Sequence, residues 1–166
     1  MIKIAEASGV LLDKAEELIK KTFPWMSLLE RMSFWAYRRQ HNPLVRLLMR
    51  LSGVSSLSNT WVAINEDEEV CGTIGLYVYS KDKSEASWLS WFCVDEEQRG
   101  KGIGKILLEF SISEAKRSGK RFLRLYTSDD PSEATAQELY EKYGFKIFKQ
   151  VKYTYGVYLY RELKLH

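Results

Sequence analysis

Residues 91–110 read WFCVDEEQRGKGIGKILLEF: an apolar, aromatic run, an acidic turn, three glycines at alternate positions, then a return to apolar residues. The spacing predicts a strand ending at Val94 and a helix through Ile106, Leu107, Phe110, Ile112 and Ala115, closed by Gly119. The chain therefore passes from strand to helix through Asp95–Gly104. The first amides of a helix have no intrahelical partner, and the aligned peptide dipoles place about half a positive charge beside them. Such a junction favours an anion. Glycine lets the backbone approach a ligand closely, and Arg99 and Lys101 add countercharge. Hydrogen bonds to a charged group contribute about 1.5–3 kcal/mol each, so several amides around one diphosphate can anchor a ligand.

Two familiar phosphate loops do not fit. A Walker loop needs glycine where Arg99 stands and Ser or Thr where Ile106 stands. A dinucleotide fingerprint beginning at Gly100 needs its third glycine at Lys105, and one beginning at Gly102 needs it at Leu107. What remains is R-x-x-G-x-G, from Arg99 to Gly104. With it, the chain resembles the GNAT superfamily of acetyltransferases, in which a Q/R-x-x-G-x-G/A segment holds the pyrophosphate of acetyl-CoA. The resemblance runs from Trp88 to Phe148 and includes LYEKYGF at 139–145, similar to the family's late helix-to-strand junction. EEVCGTIGLYV is similar to its central strands. The first fifty or so residues match only in outline.

The resemblance implies roles residue by residue. Phe92, Cys93 and Val94 would lie on a strand splayed from its neighbour and offer main-chain groups to pantetheine, as an added strand would. Arg99, Gly100, Lys101, Gly102, Ile103 and Gly104 would wrap the pyrophosphate. Tyr140 would stand near the cofactor sulfur as the acid for the leaving thiolate, a role suited to a phenol that keeps its proton at neutral pH. An amide of Phe92 or Val94 would face the oxyanion. The family often carries an asparagine seven residues before that tyrosine; here Glu133 replaces it. A glutamate that histone-type members carry as general base falls on Trp88, so no base is implied, and Glu85, Asp129, Asp130, His41 or a water chain are left as alternatives. Cys93 as an acetylated nucleophile is a further alternative. So is a non-catalytic acyl-CoA sensor, or an enzyme using another short acyl-CoA.

Outward from this loop, the order of elements is mixed. Ile2–Ala5 predicts a strand, and Leu11, Leu12, Ala15, Leu18 and Ile19 predict a helix reaching Thr22. A basic helical insert at about 26–51 breaks at His41-Asn42-Pro43. From Asn59 the period changes: TWVAI and EVCGTIGLYVYS form a hairpin about Asn65–Glu68, and ASWLSWFCV is a third strand. RFLRLYT is a strand, PSEATAQELYEKY a helix with Pro131 in its first turn, and FKIFKQ and YTYGVYLYREL close the chain. The expected fold is α/β (α+β), GNAT-like: a mixed, mostly antiparallel central sheet of about six or seven strands flanked by about four helices, as one domain over 1–166.

With 166 residues, 45% hydrophobic and 28% charged, the chain can bury its own core. A net charge of +3 fits a phosphate-bearing ligand but does not argue for nucleic acid. Cys71, Cys93, His41 and His166 have no zinc-ligand spacing, so no metal is expected. Neither a signal peptide nor eighteen consecutive apolar residues is present, which suggests a cytoplasmic protein with reduced thiols. The expected partner is a small-molecule or peptide amine, with a homodimer allowed.

Two features bear on the acceptor. Trp25, Trp35, Trp61, Trp88 and Trp91, with Tyr77 and Tyr79, are candidates for an apolar pocket, though core packing accounts for most of them. Trp88 and Trp91 would face opposite sides of a regular strand unless a bulge intervened. Arg31, Arg38, Arg39, Arg46 and Arg50 lie in a segment free of acidic residues. The expected arrangement is a solvated basic face over an apolar underside; a lid for a carboxylate, a protein tail or a membrane surface is the alternative. GNAT domains fused to MarR-type regulators are also similar in WLSWFCV and LYEKYGF, but no MarR domain is present in this sequence.

Overall fold

The computed structural model describes residues 1–154 and 156–165; Tyr155, in the predicted closing strand, and His166 lie outside the described residues, as do the side chains of Leu29 and Ser58. Seven strands form one sheet: β1 (Lys3–Glu6), β2 (Val54–Ile64), β3 (Val70–Tyr79), β4 (Ala86–Val94), β5 (Phe122–Ser128), β6 (Lys146–Tyr153) and β7 (Gly156–Lys164), in the order β1-β2-β3-β4-β5-β7-β6. The helices are α1 (Val10–Thr22), α2 (Leu28–Arg38), α3 (Pro43–Leu51), α4 (Ile103–Arg117) and α5 (Ala134–Lys142). The five α-helices among the described residues agree with the expected flanking set of about four, and the insert forms two pieces about its predicted break. Asn42 separates them, accepting the Leu44 amide at 2.9 Å with Pro43 in the first turn.

Two boundaries moved. β2 begins at Val54 rather than near Asn59, since its serine-rich start hides the alternation and its pairing with β3 slips at three places. Pro131–Glu133 is a separate 3₁₀ turn, so α5 starts three residues later than predicted.

β4 and β5 are the only parallel pair among the described strands, and they pair only over Ala86–Trp88 and Phe122–Arg124. Beyond Trp88, β4 departs from β5, which continues against β7 as far as Ser128. A wedge-shaped opening therefore splits the middle of the sheet. On one face α4 packs its Leu107, Leu108 and Ala115 against Leu89, Leu123 and Leu125. On the other, α1 and α2 cover β3 and β4, with Leu18, Ile19 and Phe34 around Cys93 and Trp91.

The closed end of the wedge is pinned by a buried charge network. Asp82 Oδ2 accepts Trp88 Nε1 and Arg124 Nη1, both at 2.9 Å, and Arg124 Nε reaches Glu162 at 3.0 Å. Trp88 and Arg124 are the last paired residues before the strands part. Removing one member of a buried pair leaves an uncompensated charge, at a cost of about 3–5 kcal/mol. Arg124→Met should thus lower the melting temperature by about 6–20 °C. An unchanged calorimetric melt would show that the network does not hold the strands.

Candidate active site

The open end of the wedge gathers β4, the start of α4 and the C-terminal half of α5. Asp95 donates its amide to Cys71 of β3 at 2.9 Å, so alternation directs Cys93 to β3 as well and turns the main-chain groups of Phe92 and Val94 into the opening. Between Cys93 and Ser90 the register shifts, Trp91 and Phe92 of β4 standing opposite Ile74 alone of β3. Trp91 absorbs the bulge with φ of 49°, an uncommon conformation for a residue with a side chain. Because of it, Ser90 and Trp91 both line a cavity under α1 and α2, whereas Phe92 and Val94 pack on the α4 side. Trp88 and Trp91 consequently share a face, which a regular strand forbids.

After β4 the chain turns through Asp95, which accepts the Glu97 amide at 3.0 Å and Lys21 Nζ at 2.9 Å. Arg99 donates its amide to Glu96, and the next amide with an acceptor is Ile106, bonded to Gly102 at 3.1 Å. From Gly100 to Lys105, no main-chain N–H has an acceptor among the described residues. Gly100 and Gly102 both have φ of 78°, and a β-carbon on either would meet only open space. Ile103 is buried under β3, so its side chain fixes the helix start while its amide has no acceptor among the described residues. Arg99 Nε reaches back to the Val94 carbonyl at 3.4 Å, and Lys101 Nζ to Gln98 at 2.8 Å.

Tyr140 comes from α5 with its ring 6.0 Å from Phe92 and 5.6 Å from Phe145. Gly104 completes the group: a β-carbon there would lie 3.5 Å from the Phe92 ring and 3.8 Å from Leu139. The structure thus brings Phe92, Gly104 and Tyr140, far apart in sequence, into one cluster. Tyr140 is only 5% exposed, and burial raises its phenol above the ordinary value, with Glu133 raising it further against the pull of Arg161.

The pairing that sequence reasoning missed lies behind Tyr140. Arg161 of β7 is 2% exposed and donates to Glu141 at 3.0 Å and to Gln137 at 2.9 Å, holding α5 on the sheet. A single arginine in an alternating strand gives no signal of this. Glu133 accepts the Ser128 amide at 3.1 Å and the Ser128 hydroxyl, tying the start of α5 to the end of β5.

The candidate bases scatter. Glu85 lies 3.6 Å from Arg124 at the closed end, and His41 is exposed in the turn between α2 and α3. Asp129 and Asp130 follow β5 at the open end but accept the Val157 and Ser132 amides at 3.0 and 2.8 Å. Cys93 is buried, and burial pushes its thiol up to about 12, so at neutral pH it carries almost no thiolate. It does not suit an acetylated nucleophile. The cavity by Trp91, about 30 Å³ in volume, is lined by Glu16, Phe34, Tyr37, Thr60, Ser90 and Trp91 among others. Glu16 there is opposed by burial, yet Lys20 and Arg38, both at 2.6 Å, hold its carboxyl below the usual range. Of the tryptophans proposed for a pocket, Trp61 and Trp88 are core residues, Trp91 lines the cavity, and Trp25 and Trp35 are exposed.

A family model, the acetyltransferase (GNAT) domain, matches residues 56–147. The chain belongs to the GNAT acetyltransferase family. The matched GNAT segment runs from β2 into β6 and so contains the wedge, the glycine loop and Tyr140. Solved structures share the architecture. A GNAT-family protein from Desulfovibrio desulfuricans is similar over 100% of both chains, with a TM-score of 0.74 and 18% identity. A GNAT-family acetyltransferase from Staphylococcus aureus Mu50 covers 99% of this chain and 100% of its own, with a TM-score of 0.71 and 25% identity. An aminoglycoside 6'-N-acetyltransferase complexed with coenzyme A covers 99% and 97%, with a TM-score of 0.71 and 19% identity. A search of curated proteins found no significant match.

Proposed function

We propose that this GNAT protein is one domain over residues 1–166 that takes the acetyl group of acetyl-CoA and passes it to a primary amine by direct attack on the thioester. The observation that carries the reading is the run of acceptor-free amides from Gly100 to Lys105 at the head of α4. It suits a diphosphate, and a structural neighbour of the same architecture was solved with coenzyme A. Pantetheine would extend from that loop into the wedge and pair with the main-chain groups of Phe92 and the amide of Val94, whose carbonyl already accepts from Arg99. The thioester would then reach the bulge at Trp91, where a β4 amide faces its carbonyl oxygen. The acceptor would enter from the α1–α2 side, where Trp91 and Ser90 lie open to the cavity.

Tyr140 serves the sulfur. Full transfer from a phenol to a thiolate runs uphill by about 1.5 pKa units at ordinary values, and burial widens the gap. Its O–H therefore stabilises the departing sulfur as a hydrogen-bond donor instead of handing over its proton beforehand. The nitrogen loses one proton as the amide forms and the sulfur gains one, so the whole reaction leaves the enzyme's protonation unchanged. Cys93 takes no part. Two unpaired buried cysteines suit a cytoplasmic setting, and no described helix is long and apolar enough to cross a membrane.

Release of free thiol from acetyl-CoA in the presence of a panel of small amines and short peptides tests the proposal. Amine-dependent release with the acetylated amine recovered is the expected result. Tight CoA binding without release for any acceptor would favour a sensor, and faster release from propionyl- or succinyl-CoA would change the acyl group.

A further inference from the structure

The insert departs from expectation in a way that bears on where the protein works. Only some of its apolar residues form an underside. In α3, Val45 and Met49 face the protein, while Leu44, Leu47, Leu48 and Leu51 point outward, roughly 130° away around the helix. Leu51 is 77% exposed and Leu44 64%. In α2, Leu28, Met32 and Trp35 repeat the pattern at helical spacing, with Phe34 buried behind them, and Trp25 stands 71% exposed just before. Monomeric proteins do not often present so many large apolar side chains on two consecutive helices.

The charge around them has one sign. Residues 31–65 contain five arginines and no acidic residue. Arg38 turns inward to Asp13 and Glu16. Arg46 and Arg50 pair with no carboxylate among the described residues, and the Arg39 guanidinium lies 5.3 Å over the exposed Trp35 ring. Leucine rows flanked by arginine, with tryptophan at the margin, are the composition of a helix that lies in a bilayer interface.

We infer that the outer face of α2 and α3 docks on an anionic lipid bilayer. The leucines would sink to the headgroup boundary while the arginines meet phosphate. A second copy is the poorer occupant, because two-fold pairing through this face would set acid-free arginines against each other. Leucine is also under-represented among the residues that anchor protein partners. The inference does not depend on the acyl-transfer reading, since thiol release is measured without lipid.

Sedimentation of the full chain with vesicles tests it, using phosphatidylcholine alone against an equal mixture with phosphatidylglycerol. Binding to the mixed vesicles only, with a blue shift in tryptophan emission, is expected. Raising the salt, or the pair R46E and R50E, should weaken binding by roughly tenfold or more. The pair L47S and L48S should weaken it similarly at unchanged charge; both pairs alter exposed positions, and melting curves check that they fold. No binding to anionic vesicles overturns the inference. Binding sensitive to the arginines but not to the leucines also overturns it, since only charge would then be read. A dimer in light scattering that L47S and L48S converts to monomer, without vesicle binding, assigns the face to a second copy and overturns it as well.

Discussion

Gly102→Val should weaken acetyl-CoA binding at least about a hundredfold while costing the fold only about 1–2 kcal/mol. The two effects separate because of where the residue sits. Gly102 precedes α4 at φ 78°, a conformation that a β-branched residue adopts only under strain. Relief of that strain would turn the adjoining peptide and take the acceptor-free amides of Gly102 and Ile103 off a common target. Losing two hydrogen bonds to a charged diphosphate is worth about 3–6 kcal/mol, or roughly two to four orders of magnitude in affinity. Calorimetric titration with acetyl-CoA checks it, with a melting curve as the control. Affinity within threefold of the parent would remove the glycine loop from the cofactor site.

Tyr140→Phe should lower turnover about a hundredfold and leave the affinity for acetyl-CoA nearly unchanged. The ring keeps its packing against Phe92 and Phe145, so the fold should persist. The pH profile gives a second readout. A phenol raised by burial keeps its proton well beyond the ordinary tyrosine range, so Tyr140 itself should produce no alkaline fall in the parent's turnover below about pH 10. An unchanged turnover in the variant would assign Tyr140 to packing alone.

Most of the fold was legible because periodicity and glycine placement are local signals. ASWLSWFCV coincides with β4, and the strand-to-helix junction stands where the three glycines put it. The serine-rich start of β2 carries no such signal, because its pairing depends on β3 rather than on alternation. The site divides in the same way. The loop and Tyr140 were proposed from short motifs, whereas the bulge at Trp91, the tie from Glu133 to Ser128 and the hold of Arg161 on α5 exist only once distant strands have paired. The exposed leucines escaped for a different reason. Helical spacing shows that a helix has an apolar stripe, but α3 has one stripe against the protein and another against solvent, and the sequence does not distinguish them.

The acceptor-free amides ahead of α4 also foretell how this protein would answer systematic mutagenesis. Because the donors belong to the peptide chain and carry no titratable proton, truncating Arg99, Lys101 or Lys105 one at a time would trim only the surrounding charge and report a nearly silent segment. A survey that equates importance with side-chain loss would pass over the region, and only replacements that bend or stiffen the main chain would reveal it.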